Sequence, residues 1–120
     1  MSSIISSRAG FAAELSAAMT TSTFVSIGTL LFSPVIIIFD NQSTASVAIT
    51  TNFMQNHDGT YNTWRTFPAG EALVLDLRAA HGSARDYTFD KGTIFLGEGT
   101  SATGNFSISY IYAINPSLGT

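Results

Sequence analysis

His57 and His81 are the only histidines in the chain, and so the natural general bases for a Ser or Thr nucleophile. Each stands in a polar stretch with turn chemistry, His57 before Asp58-Gly59 and His81 before Gly82. No Gly-x-Ser-x-Gly elbow accompanies them, so turn formation accounts for both better than catalysis does. Asp76, Asp86, Asp90 and Glu98 are the acids from which a glycosidase pair could be drawn. Asp76 falls on the outer positions of an amphipathic strand and Asp90 opens a turn, which are the ordinary places for a solvated carboxylate. Neither Asp40-Asn41 nor the stretch Asp86 to Asp90 offers the alternating acids of a calcium loop. With 0 cysteines there is no thiol nucleophile, disulfide, zinc knuckle or Fe–S site. Gly97, Gly99 and Gly104 lead into a strand pattern and not a helix, and no Gly-Lys-Ser/Thr follows, so they read as a flexible hairpin loop and not a phosphate cradle. The expectation is a chain with no catalytic residue, no cofactor and no metal.

Aromatic side chains carry the open alternatives. Tyr61, Trp64, Phe67, Tyr110 and Tyr112 could build a sugar-stacking platform or a contact with another subunit. Trp64 is the best candidate for an exposed anchor, with Tyr61 and Phe67 beside it, whereas Phe106 and Tyr110 fall on the apolar face of the last strand. Near the N-terminus Phe11, Leu15 and Met19 recur every fourth residue, the spacing of one helical face, and form a second candidate contact. Asn41-Gln42-Ser43 and Asn105-Phe106-Ser107 match the glycosylation acceptor pattern.

Positioning these residues falls to one domain, since 120 residues leave no room for two. Charged residues are 11% of the chain, against about 25% in an average globular domain. The formal net charge is −3 and Lys91 is the single lysine, which disfavours nucleic-acid binding. So weakly charged a surface leaves Ser, Thr and aromatic area free to pack on other chains, the mark of a subunit. Arg8 and Glu14 interrupt any signal-peptide core, and the longest apolar stretch, Phe24 to Phe39, is too short and too broken to span a bilayer. A soluble, non-exported protein without membrane contact is expected.

Residues 1–22 read either as a frayed or irregular terminus or as an arm, extended or partly helical, that orders only against a neighbouring subunit. From Thr23 the pattern is β throughout. Thr23 to Leu31 alternates loosely, and Val35 to Phe39 is a β-branched run with no polar face, covered on both sides either inside a sandwich or against another subunit. Ala45, Val47 and Ile49 alternate with polar or small residues, Tyr61 to Phe67 reads as an aromatic strand, and Leu73, Leu75 and Leu77 face opposite Val74, Asp76 and Arg78. Ala79 to Arg85 reads as loop, Tyr87 to Phe89 and Thr93 to Leu96 as short strands, and Asn105 to Tyr112 as a long terminal one. Roughly seven or eight strands with turns every eight to twelve residues predict an all-β antiparallel sandwich, jelly-roll-like, over residues 23–120.

The order of these motifs resembles small virion proteins of tailed bacteriophages. The matching residues are Asn41 to Thr44, Val47 to Ile49, Asp58-Gly59, Pro68-Ala69-Gly70, Leu75-Asp76, Lys91-Gly92-Thr93 and Gly104 to Tyr112, covering about Thr23 to Ala113. The stretch from Ile49 to Asp58 is longer than in that family, so a bulge or loop must absorb Asn52 to His57. The resemblance implies a non-enzymatic, multi-copy β-sandwich of the neck, tail or capsid surface. Its partners would be itself and other phage virion proteins, and its location the virion, after assembly in the host cytoplasm.

Overall fold

The computed structural model describes residues 8–19, 22–77, 89–99 and 103–114, of which 8, 9, 113 and 114 are described by their backbone alone. Among these residues the chain forms β1 (Arg8–Phe11), β2 (Leu15–Ala18), β3 (Val25–Thr29), β4 (Pro34–Asn41), β5 (Val47–Thr51), β6 (Arg65–Phe67), β7 (Ala72–Asp76), β8 (Ile94–Glu98) and β9 (Asn105–Ile114). A short 3-10 turn, Asn52–Met54, follows β5 and takes up much of the extra length noted before Asp58. The predicted strand at Tyr61 to Phe67 shrinks to Arg65–Phe67, because Tyr61 makes only an isolated bridge to Gln55. His81, Asp86 and the predicted elements Ala79 to Arg85 and Tyr87-Thr88 lie outside the described residues, while Phe89 is buried but not in a strand.

All ladders are antiparallel, and they form two sheets. One runs β1-β9-β4-β7 with β2 also on β9, and the other runs β3-β8-β5-β6. If β1 and β2 are taken as two halves of one edge strand, the pairings nest: that strand with β9, β3 with β8, β4 with β7, β5 with β6. A long hairpin wrapped in this way is a jelly roll, and it confirms the all-β sandwich read from the periodicity. The described part of the arm is correspondingly extended, in strands Arg8–Phe11 and Leu15–Ala18. Its four-residue spacing does not make a helix, because the chain breaks at residues 12–14 between two short strands that both use β9 as template.

The sheets close on an aromatic core. Phe39, fully buried, meets the rings of Trp64, Phe67, Phe89 and Phe95 at centroid distances of 5.1 to 6.0 Å. Ile37, Val47, Ile49, Phe106 and Ile108 complete its two sides. The alternation predicted for β7 holds, with Leu73 and Leu75 against the core and Val74 and Asp76 outward. Pro34 opens β4, where its missing N–H costs least, and a bulge between Pro34 and Ile36 resets the register against β9.

At the other end of β4 the chain is stapled by Asn41. Its Nδ2 donates to the carbonyls of Ala45, Phe67 and Pro68 at 2.9 to 3.0 Å, and its Oδ1 accepts from the amide and hydroxyl of Ser43. The side chain has no accessible surface, so the acceptor pattern at Asn41-Gln42-Ser43 cannot carry a glycan in the folded protein. That nitrogen is committed to the link between the β4–β5 and β6–β7 connections.

Candidate functional site

The six side chains singled out as contacts do not form two patches. Phe11 projects outward, 78% exposed, whereas Leu15 is half-buried and Met19 wholly buried. An extended backbone with a break, not a helix, carries them, so Leu15 and Met19 point into the sandwich while Phe11 stands on its outside. Tyr61, Trp64 and Phe67 separate likewise. Tyr61 packs on Phe24 at 5.6 Å, Trp64 lies against Phe39 and Phe89, and Phe67 is fully buried between Phe39 and Phe106. Met19 and Phe67 are therefore packed in the core of the sandwich and not on its surface, and no three-ring platform exists.

Trp64 does reach a cleft of about 450 Å³, walled by Phe53, Met54 and Phe89 with Thr51, Asp90 and Thr93 on its polar side. Phe53 is 73% exposed at its mouth. This pairing of an indole with a free ring went unread in the sequence, because Phe53 falls in the 3-10 turn, where neither strand nor helix periodicity marks it.

The more extensive feature is the outside of the β1-β9-β4-β7 sheet. Register places Phe11 beside Ile111 and Ile111 beside Ile36, while one step along the pleat Ile38 stands opposite Val74. Cross-strand partners point to the same face, so these five apolar side chains form one continuous stripe over the strands β1, β9, β4 and β7. Phe11 and Val74 are exposed, the isoleucines half-buried. The run Val35 to Phe39 is thereby explained: Ile37 and Phe39 fill the core, and Ile36 and Ile38 belong to the stripe. Three carboxylate-bearing residues border it, with Asp40 and Asp76 in the same outer registers of β4 and β7, and Glu14 accepting a hydrogen bond from Ser109 on β9.

The acids and histidine proposed for chemistry are dispersed. Asp76 lies on the outer face of β7, Asp90 in the turn before β8 and Glu98 at the end of β8. Among the described residues no three His, Asp or Glu converge as a metal site. His57 is exposed on the Asn56–Gly59 turn. There Asp58 is held below the usual carboxylate range, chiefly by the Thr60 hydroxyl donating to Oδ1 at 2.7 Å and then by the Thr60 amide at 3.1 Å. The lowered value stabilises the turn fully above the ordinary carboxylate pKa, and that stabilisation is lost as pH falls through the lowered value. In Thr60→Val the Asp58 titration, followed by carboxyl-carbon NMR, is expected to move back toward the ordinary value while the amide contact keeps it from returning completely; an unchanged titration would refute the hydroxyl's role.

Gly97 and Gly99, read as loop residues, have a different office. Gly97 lies within β8, and a Cβ there would approach the Met19 sulfur to 2.9 Å; a Cβ on Gly99 would meet Met19 Cβ at 3.0 Å. They form the floor on which the Met19 side chain rests.

Among the described residues no helix is long and apolar enough to cross a membrane. No family model and no curated protein matches the chain. Among solved structures it is similar to a subunit from work describing Bacillus endospore appendages as a novel family of disulfide-linked pili, at 14% identity and a TM-score of 0.46, covering 92% of this chain and 90% of that one.

Proposed function

We propose that this chain is a non-enzymatic structural subunit of a tailed-bacteriophage particle. It would be present in many copies in the neck, tail or capsid surface, held by its own copies and by other virion proteins, and assembled in the host cytoplasm. The observation that carries the reading is the apolar stripe of Phe11, Ile111, Ile36, Ile38 and Val74 on the outside of a sheet. Isolated surface apolar residues are ordinary, but a continuous stripe across four strands loses free energy until another surface covers it. The low charge of the chain and the motif order shared with phage virion proteins agree with this.

Val74→Lys and Phe11→Lys test it directly. Both side chains are already exposed, so the thermal midpoint should barely move. Incorporation into purified particles should fall at least roughly tenfold, because an ammonium stranded in an apolar contact costs more than the ~1.4 kcal/mol that a decade represents. Normal incorporation of both variants would remove the stripe from the assembly, and failure to locate the chain in any particle by electron microscopy would remove the subunit reading itself.

A second reading, glycan binding, draws on the cleft between Trp64 and Phe53. Trp64 is the single tryptophan and lines that cleft, so its fluorescence in the folded protein responds to an occupant there. Titration with neutral oligosaccharides should shift the emission in the parent and leave Phe53→Ala unresponsive; a flat response in the parent rejects the reading.

A further inference from the structure

Strands β1 and β2 are held to their sheet by β9 alone, through Arg8 to Phe11 on Ile114 to Ile111 and Leu15 to Ala18 on Ile108 to Asn105. The rest of the sandwich is shaped to receive them. A Cβ on Gly28 would come within 2.8 Å of the Leu15 side chain, and one on Gly97 or Gly99 would crowd Met19 at 2.9 and 3.0 Å. The Met19 amide donates to the Gly104 carbonyl at 3.0 Å. Without the arm the socket of Met19, which has no accessible surface, would open into the core. Every group the groove recognises lies within residues 8–19, and none of these contacts depends on which copy supplies that segment.

The connection that follows argues for a second copy. Between Met19 and β3 the chain reads Thr20, Thr21, Ser22, Thr23 and Phe24, with no Gly, Pro, Asn or Asp. The turns at residues 56–59, 68–70 and 90–92 use those residues and place Gly59, Gly70 and Gly92 at positive φ. Threonine favours extended backbone, whereas Ser22 and Thr23 are bent in this chain, a bend that exchange would relieve. Extended, five residues reach roughly 17 Å.

We infer that residues 8–19 are exchanged between copies, each chain's arm completing its neighbour's sheet along β9. The inference rests on the homo-oligomeric part of the proposed function and names the contact that makes the oligomer.

Because the chain contains 0 cysteines, introduced thiols report only on the pair chosen. Ala18 and Asn105 face each other across the β2–β9 ladder and both are exposed, so Ala18→Cys and Asn105→Cys leave the core untouched and suit a disulfide. The two full-length single variants are unfolded together, refolded as a mixture and mildly oxidised. Exchange should give a covalent dimer of one chain of each kind, forming on the order of a hundredfold faster than the control mixture of Ala18→Cys with Thr66→Cys, since ladder partners share a high effective concentration. The double variant should give linked multimers. Oxidation of the double variant entirely within single chains, with no excess dimer in the mixture, overturns the exchange. If light scattering then still shows a multimer, the subunit reading stands and only the exchanged arm falls.

Discussion

Phe39→Ala is expected to lower the unfolding free energy by about 4 kcal/mol. The ring has no accessible surface and touches four other aromatic rings, Phe67 and Phe95 of the facing sheet and Trp64 and Phe89 of the connections, so its removal opens a cavity that neighbouring side chains on rigid strands cannot collapse into. A domain of this size has roughly 5 to 15 kcal/mol to lose, so the variant would be left close to its unfolding threshold. Urea unfolding followed by Trp64 fluorescence should show a much earlier midpoint at unchanged slope. Phe39→Leu, which keeps most of the volume, should cost about 1.5 kcal/mol. A loss under about 1 kcal/mol for the alanine variant would mean that the sheets do not close on this ring.

Asn41→Ala should cost about 3 kcal/mol. Three carbonyls, of Ala45, Phe67 and Pro68, would lose their amide donor, and the Ser43 amide and hydroxyl would lose their acceptor. The side chain is fully buried, so water cannot replace these bonds without opening both connections. Asn41→Asp keeps the acceptor but removes both N–H donors and points a carboxyl at three carbonyl oxygens. It should fare no better at neutral pH and worsen as pH rises, because burial favours the protonated acid. An Asp variant as stable as the parent at pH 8 would refute the assigned orientation of the amide.

The strands that were legible in the sequence are those whose residues answer to one boundary. Leu73 and Leu75 against Val74 and Asp76, and Ile108 and Tyr110 against Ser109 and Ile111, each sort between core and the outer face, so period two identifies them. Phe11, Leu15 and Met19 misled because two strands interrupted at residues 12–14 restore a spacing of four without a helix, and only the β9 template shows the break. Gly97 and Gly99 resembled a loop because a glycine chosen for close approach of another segment is indistinguishable, in one dimension, from a glycine chosen for freedom. The aromatic platform failed for a related reason: Tyr61, Trp64 and Phe67 are near in sequence but straddle a bend, and each turns to a different neighbour. Asn41 stood out in the sequence through the glycosylation pattern and the motif resemblance, and nothing short of the fold reveals that its amide ties the end of β4 to the carbonyl of Phe67, 26 residues away.

The nested strand pairing also dictates an order of events in time. The β5–β6 ladder closes over a short loop, whereas Arg8 meets Ile114 only after about a hundred intervening residues have been gathered, so loop closure grows costlier from the inside of the hairpin outward. On loop closure alone, pairing is expected to start around Val47 and Phe67 and to reach the N-terminal segment last, an order that pulsed hydrogen exchange during refolding would check. Until then the edge of β9 and the glycine-floored socket stand open, and for that interval the concentration of neighbouring chains, as much as the sequence itself, decides whose segment closes the sheet.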